Sequence, residues 1–169
     1  APTATSFAGG GGVATCESGA CPQAGVSGLW GTALSFDGGD LVTSTFAAEA
    51  ITDTDGFSFG GWVRMDDDGG AMTLLAFHDS TGGSLNRLTR SNYRFCYRDS
   101  TVNLCADDIA GLIDGWHHLM VVITEAGTGT LYADGVAHRT FSTAVRPAVD
   151  GQFRIGDGYD GGIDEITVY

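Results

Sequence analysis

The apolar residues of this chain fall in short runs, and residues typical of turns separate the runs. Short apolar or alternating runs bounded by glycine and aspartate predict β-strands rather than helices. Only residues 46–51 contain a group of good helix formers, and that stretch is too short to form a stable helix. We therefore predict nine strands, at residues 33–36, 57–64, 72–78, 93–97, 116–124, 129–134, 136–141, 152–155 and 163–169.

Two of the predicted strands indicate which residues face the core. In the strand at 57–64, Phe57 and Val63 lie on one face and Trp62 and Arg64 lie on the other, because successive side chains alternate. A later run, Leu-Met-Val-Val-Ile, is apolar on both faces. That pattern predicts a central strand that is covered on both sides.

The turns between the strands are indicated by eight Asp-Gly pairs. Glycine adopts positive φ without strain, and aspartate tolerates it while bonding to nearby backbone. One pair lies in Leu-Tyr-Ala-Asp-Gly-Val at 131–136, which predicts a tight β-hairpin. Many short strands joined by regular turns predict an all-β fold, a two-sheet antiparallel jelly-roll sandwich. The 169 residues are enough for one domain with a buried core.

The charge balance excludes some classes of partner. The formal net charge is −13, and all eight positive residues are arginines. Such a field repels phosphate backbones and anionic lipid, so we expect neither nucleic-acid binding nor binding to a membrane surface. No apolar run reaches the roughly 20 residues that cross a bilayer, so we expect no membrane insertion. Acidity favours solubility, and it also suits carboxylates that hold a hard cation such as calcium.

The four cysteines, Cys16, Cys21, Cys96 and Cys105, allow three disulfide pairings. We favour Cys16–Cys21 and Cys96–Cys105, since each closes a short local loop and the segment around the second pair could fold as a hairpin. The alternative is a four-cysteine zinc site, but neither gap has the Cys-x-x-Cys form that such a site normally shows. Two disulfides predict an oxidising compartment, and hence a secreted or cell-surface protein.

A series of motifs then suggests a family. They are Gly-Val-Ser-Gly at 25–28 with Gly-Thr-Ala-Leu-Ser-Phe-Asp-Gly at 31–38, Phe-Ser-Phe-Gly-Gly-Trp-Val at 57–63, Trp-His-His-Leu-Met-Val at 116–121, Leu-Tyr-Ala-Asp-Gly at 131–135, and Gly-Ile-Asp-Glu-Ile-Thr-Val-Tyr at 162–169. In this order, the five motifs resemble those of laminin G-like domains of the concanavalin A-like lectin/glucanase superfamily. Residues 98–104, between the second pair of cysteines, match no motif of that family.

The resemblance implies a concanavalin A-like jelly roll over residues 25–169, preceded by an N-terminal arm at 1–24 with a small disulfide loop. Domains of this family are common in secreted and surface proteins. They bind glycans or proteins, or act as spacers beside catalytic domains, and many hold calcium. The fold alone does not decide between these functions.

Calcium is the first candidate ligand. If the first and last strands are neighbours, as the family fold implies, Asp37 and Asp40 could face Asp164 across a sheet edge. Calcium takes several oxygen ligands, which carboxylates and turn carbonyls can supply. The alternative is that Asp37 and Asp40 shape a turn and Asp164 ends a strand.

A glycan is the second candidate ligand, because an exposed aromatic ring can stack on a sugar. The candidates near turns or strand ends with polar neighbours are Tyr93, Tyr97, Tyr159 and Trp30. The alternative for each is partly buried packing. We assign Trp62 and Trp116 to the core.

Catalysis is not expected. His117 and His118 stand beside an apolar run, so one should point inwards and one outwards, and the family pattern makes both structural. Glycan hydrolysis needs two carboxylates at a fixed separation, and none of the four glutamates lies in a Glu-x-Asp-x-Glu pattern. No nucleophile-elbow motif is present either.

We therefore expect an extracellular, non-catalytic binding module for a glycan or a protein, with calcium as a possible cofactor. The alternative is a structural subunit or repeat of a surface adhesin or extracellular fibre, which would self-associate or depend on flanking domains. The N-terminal arm would then be ordered by that contact.

Overall fold

The computed structural model describes residues 14–44, 56–66, 70–92, 94–106, 115–148 and 151–169. These residues form fourteen β-strands and no helix, so none of them belongs to a helix that could span a membrane. The strands are β1 (Ala14–Thr15), β2 (Gln23–Ser27), β3 (Thr32–Asp37), β4 (Val42–Ser44), β5 (Phe57–Met65), β6 (Ala71–His78), β7 (Ser84–Ser91), β8 (Arg94–Arg98), β9 (Asn103–Cys105), β10 (Trp116–Ile123), β11 (Thr128–Ala133), β12 (Val136–Ser142), β13 (Gln152–Ile155) and β14 (Asp160–Val168).

The strands pair antiparallel into two seven-stranded sheets. Sheet A has the order β1-β4-β13-β6-β7-β8-β9, and sheet B has the order β12-β11-β10-β5-β14-β3-β2. The last strand, β14, lies between β3 and β5 near the middle of sheet B. The predicted two-sheet antiparallel sandwich is therefore confirmed.

Apolar side chains from both sheets meet in a single core. Phe59 of β5 and Leu88 of β7 are 0% exposed, and the rings of Phe59 and Phe77 pack edge to face with centroids 5.2 Å apart. Because side chains alternate along each strand, every second residue points away from this core. Those residues form two outer faces, one on each sheet.

All nine predicted strands are present, with small changes at their ends, and five further strands were not predicted: β1, β2, β4, β7 and β9. Three of the five are two or three residues long. The longest, β7, was missed because six of its eight residues are polar, including Arg87 and Arg90. Its place in the sheet comes from pairing with β6 and β8. The turn predicted at 46–51 lies outside the described residues.

The strand β10 is central, as predicted, because it pairs with both β5 and β11. Leu119 and Val121 are buried in the core, but Met120 and Val122 on the other face are only half-buried. The prediction that both faces of this strand are covered is therefore wrong. Among the described residues, no further layer of secondary structure packs on the outer face of sheet B.

Both predicted disulfides, Cys16–Cys21 and Cys96–Cys105, are present. The second joins β8 and β9, in which the two cysteines pair directly, so the predicted hairpin is confirmed. Residues 14–24 of the predicted arm contribute β1 to sheet A and the start of β2 to sheet B. The boundary drawn after residue 24 therefore falls inside β2, and residues 1–13 lie outside the described range.

Candidate functional site

The outer face of sheet B carries a row of three side chains on adjacent strands. Strand register places His118 of β10 beside Trp62 of β5, and Trp62 beside Asp164 of β14. Val63 points into the core and is 1% exposed, so its neighbour Trp62 must point outwards. The rings of Trp62 and His118 lie 5.3 Å apart at 57°.

The loop between β2 and β3 brings a second tryptophan onto this row. The N–H of Gly28 donates to the carbonyl of Gly31 over 3.1 Å, and Gly31 has a φ of 80°, which favours glycine. The tight turn places the ring of Trp30 edge to face with Trp62, with centroids 5.5 Å apart at 90°. Trp30 remains 64% exposed, so most of its ring is open to solvent.

The third tryptophan lies in the next row, where Trp116 pairs with Arg64 and Arg64 pairs with Gly162. An added Cβ at Gly162 would lie 2.7 Å from the Trp116 ring, so the ring covers this glycine. The Arg64 guanidinium lies 5.5 Å from the centroid of the Trp116 ring. It also donates twice to Asp66, each time over 2.8 Å, and this pairing raises the pKa of Arg64.

We call the outer surface of sheet B around Trp30, Trp62 and Trp116 the tryptophan face. It holds all three tryptophans of the chain. The exposed ring of Trp30 offers an apolar surface, and the charged pair of Arg64 and Asp66 offers hydrogen-bond donors and acceptors nearby. Such a combination can stack on the apolar side of a ring-shaped ligand and bond to its polar groups.

Asp164 lies under the loop that carries Trp30. Its Oδ1 accepts from the N–H of Glu165 over 2.9 Å, whereas its buried Oδ2 has no hydrogen-bond partner among the described residues. A Cβ on Gly28 would lie 2.5 Å from that Oδ2, so the loop can pack on Asp164 only because residue 28 is glycine. A β-bulge follows Asp164, and Glu165 has a φ of 47°.

The two histidines behave as predicted. His118 points outwards onto Trp62, and His117 points towards the inner side, where its Nδ1 lies 2.7 Å from Asp134 Oδ2. Asp134 also accepts from the N–H of His118 over 2.9 Å. Partial burial raises the pKa of Asp134, but these hydrogen bonds outweigh it and hold the pKa below its usual value. Asp134 and Gly135, both at positive φ, form the predicted tight hairpin.

The tyrosines proposed as sugar platforms have other roles. Tyr97 and Tyr159 are both 0% exposed, so neither ring can stack on a ligand, and this interpretation is corrected. The Tyr97 hydroxyl donates to Asp99 over 2.8 Å. The Tyr159 hydroxyl lies 2.8 Å from the carbonyl oxygen of Arg64. Burial raises the pKa of both tyrosines. Tyr93 lies outside the described residues.

The assignment of Trp62 and Trp116 to the core is wrong, because both side chains are half-buried on an outer face. The alternation along β5 carried the signal, since it set Trp62 opposite Phe57 and Val63. Of the three aromatic candidates that the structure describes, Trp30 is the one whose ring is exposed.

The three aspartates proposed for calcium are not brought together. Register places Asp160, rather than Asp164, opposite Asp37. Asp40 accepts from the N–H of Asp37 over 3.0 Å, and Asp37 accepts from that of Gly39, so this pair shapes a turn. Burial raises the pKa of Asp40. The described residues contain no group of three or more His, Cys, Asp or Glu that could hold a metal, and calcium binding stays a prediction.

Solved structures show where this fold recurs. Domain 4 of AbnA, a GH43 extracellular arabinanase from Geobacillus stearothermophilus, in complex with arabinotriose, matches 94% of this chain and 81% of its own, with a TM-score of 0.66 and 17% identity. The receptor binding domain of botulinum neurotoxin C/D mosaic serotype matches 92% of this chain with a TM-score of 0.69 and 14% identity. The binding domain of botulinum neurotoxin DC in complex with SialylT matches 92% with a TM-score of 0.66 and 9% identity.

This chain spans 42% of each of the two toxin domains. At such identities, the likeness concerns the fold. No curated protein matches the sequence.

A laminin G family model, described as the concanavalin A-like lectin/glucanases superfamily, matches residues 36–169. This range includes eleven of the fourteen strands in full and most of the tryptophan face. On that match, together with the two-sheet sandwich described above, the chain belongs to the concanavalin A-like lectin/glucanase superfamily.

Proposed function

We propose that this domain is a non-catalytic carbohydrate-binding module whose site is the tryptophan face. The proposal rests on the exposure of Trp30. Its side chain is 64% exposed, and its ring packs edge to face against Trp62. An exposed ring of this size can bury apolar area against a ligand that stacks on it. A sugar has apolar C–H faces that suit such a ring.

The polar groups beside Trp30 suit sugar hydroxyls. Arg64 and Asp66 are held together by two hydrogen bonds, yet their side chains remain 31% and 42% exposed. Their remaining donors and acceptors can therefore reach a ligand that lies over the outer face. Because Trp62 and the β2–β3 turn fix the Trp30 ring, little side-chain freedom is lost on binding.

The fold relatives support the ligand class. One was solved with arabinotriose and another with SialylT, and both are described as parts of an extracellular or toxin protein. Two disulfides also suit an extracellular location. We therefore extend the proposal to a module that works outside the cell, in a secreted or surface protein.

A glycan array tests this proposal with three proteins: the wild type, Trp30→Ala and Tyr169→Ala. Tyr169 is the matched control, since its side chain is 78% exposed and its backbone pairs with Ser58 at the far end of β5. We expect neutral glycans that bind the wild type to be lost with Trp30→Ala and kept with Tyr169→Ala. Hits that survive Trp30→Ala would contradict the site, and an array without hits would favour the structural alternative.

The same array, run with calcium and with a chelator, tests the metal. The arrangement of Trp30, Arg64 and Asp66 does not require a cation to complete it. We therefore expect the hits to survive chelation. Hits that vanish would support the calcium prediction.

A further inference from the structure

The opposite outer face, on sheet A, carries a row of arginines. The register of β13, β6, β7 and β8 sets Arg154 beside Ala76, Ala76 beside Arg87, and Arg87 beside Arg98. Leu88, Tyr97 and the residues that flank Arg154 point into the core, so the three arginines point outwards. We call Arg154, Arg87 and Arg98 the arginine row.

The row places like charges side by side. Arg87 and Arg98 are direct partners in an antiparallel pair, with Cβ atoms about 5 Å apart, and such like-charge pairs are destabilising. Arg154 lies two strands from Arg87, roughly 10 Å away at the usual spacing. The intervening Ala76 is 0% exposed although it points outwards, which fits arginine stems lying across it.

Nothing among the described residues neutralises the row. The strands of sheet A contain five of the eight arginines of the chain and no aspartate or glutamate. Asp99 follows Arg98 directly, but its oxygens accept from Tyr97, Thr143 and Thr101 instead. Among the described residues, the arginine row is therefore positive, in a chain whose net charge is −13.

One nitrogen of each guanidinium group in the row also lacks an acceptor among the described residues. The Nε atoms of Arg87, Arg98 and Arg154 are all buried, and none has a hydrogen-bond partner among the described residues. A buried N–H without an acceptor is costly, and three in one row require an explanation. Unfavourable local arrangements of this kind are typical of binding sites, where a ligand supplies the missing partner.

We propose that the arginine row is a second binding site, which takes the carboxylate groups of an acidic polysaccharide. The planar fork of a guanidinium matches a carboxylate with two parallel hydrogen bonds. A line of three forks on a flat sheet suits a chain that repeats its charges, more than it suits a single small anion. The large apolar side chains that are exposed among the described residues, Trp30, Val136 and Tyr169, all belong to the other sheet or its loops, so this face offers none to insert into a membrane.

The test measures binding of polygalacturonate to the wild type, Arg87→Gln, Arg98→Gln and Arg139→Gln. Arg139 is the matched control, because its substitution removes the same charge from the edge strand of sheet B. We expect each row variant to weaken binding roughly tenfold or more, and Arg139→Gln to leave it nearly unchanged. Equal losses in all three variants would overturn the proposal, since they would report net charge alone.

Three further polymers identify the ligand chemistry. Fully methyl-esterified polygalacturonate keeps the sugar chain without its charge, and it should not bind to Trp30→Ala, in which the tryptophan face is removed. Preferential binding of dextran sulfate or of duplex DNA over polygalacturonate would overturn the assignment to carboxylates. Sodium galacturonate, as the free sugar acid, should compete only weakly; competition as strong as that of the polymer would overturn the assignment to a polysaccharide and reduce the site to a single-anion pocket.

Lysine variants keep the test valid if a glutamine variant unfolds. Arg87→Lys and Arg98→Lys retain the charge but lose the planar fork. We expect their binding to fall between that of the wild type and that of the glutamine variants, and unaltered binding would overturn the two-bond geometry. Since Trp30→Ala leaves this face intact, loss of the neutral-glycan hits with retained polygalacturonate binding separates this site from the tryptophan face.

Discussion

The outer faces of the two sheets are built on the same alternation, yet they carry opposite chemistry. On sheet B, the outward residues of the central strands include Trp62, Trp116 and Asp164. On sheet A, the corresponding positions include Arg87 and Arg98 and, among the described residues, no carboxylate. Both faces surround one core, so the need to bury apolar side chains cannot explain the difference.

The comparison teaches where functional information lies in such a sandwich. Inward positions are constrained by packing, and on both sheets most of them are filled by aliphatic and aromatic residues, with the buried Asn86 and Arg90 of β7 as exceptions. Outward positions are free of that constraint. A cluster of one chemical type at outward positions therefore points to ligands, and here two clusters point to two different ligands.

The strongest test of this comparison measures the binding of a neutral glycan and of polygalacturonate to two variants, Trp30→Ala and Arg98→Gln. We expect Trp30→Ala to weaken neutral-glycan binding by about 30-fold, the scale of a tryptophan that anchors an interface, and to leave polygalacturonate binding unchanged. Arg98→Gln should do the reverse. Titration calorimetry of both proteins with both ligands measures this. If either variant weakens the binding of both ligands by the same factor, the two faces are not separate sites.

A second test alters the tryptophan face without touching a tryptophan. Gly162→Ala places a Cβ 2.7 Å from the Trp116 ring, so the ring must move off the sheet. Overpacking of this kind costs about 1–3 kcal/mol of unfolding free energy, which urea denaturation measures. Gly115→Ala is the control, because a Cβ there meets nothing within 4 Å. Equal stability of the two variants would contradict the packing of Trp116 on Gly162.

Salt should change ligand binding to the two faces differently, and the effect should be smaller than that of the substitutions. Raising sodium chloride screens charge, so polygalacturonate binding to the arginine row should weaken steadily. Neutral-glycan binding to the tryptophan face depends on stacking and short-range hydrogen bonds, and it should change little. Binding curves at several salt concentrations measure both. Parallel salt dependence for both ligands would argue against an aromatic site on sheet B.

The smallest expected effect is on acid stability. The pKa of Asp134 is held below its usual value by His117 and His118, and the pKa of Asp99 is lowered because hydrogen bonds, led by that from Thr143, outweigh its burial. A depressed carboxyl pKa stabilises the fold above the unfolded value of about 3.9, and that contribution is lost as pH falls through the folded pKa. The melting temperature should therefore fall below about pH 4.

Asp134→Asn is the matched variant for the acid test. Its melting temperature should be lower than that of the wild type at neutral pH, and the difference should shrink as the pH falls. A difference that stays constant down to acid pH would show that the charge of Asp134 does not stabilise the hairpin end of sheet B.

Much of this molecule could be predicted from its sequence. Alternation predicted nine strands, and the local spacing of Cys96 and Cys105 predicted their bond. These features depend on residues close in sequence. Strand β7 was missed for the opposite reason, because its polar residues are ordered by β6 and β8 rather than by a local apolar pattern.

The candidate sites were less predictable. Trp30 was identified as a ring near a turn, but its support by Trp62 depends on a loop folding over another strand. Tyr97 and Tyr159 were placed with the ligand because their polar neighbours suggested exposure, whereas both hydroxyls bond inside the sandwich. Asp164 was expected beside Asp37, and register set it beside Trp62 instead.

The sequence by itself therefore predicted the sandwich, most of its strands and its disulfides, because alternation, turn residues and short loops act locally. The tertiary structure alone decided which outward residues became neighbours. Arg87 and Arg154 are far apart in the chain, and they share a row only because β6 lies between β7 and β13. Strand register is set by long-range pairing, and it turned scattered arginines and tryptophans into two faces.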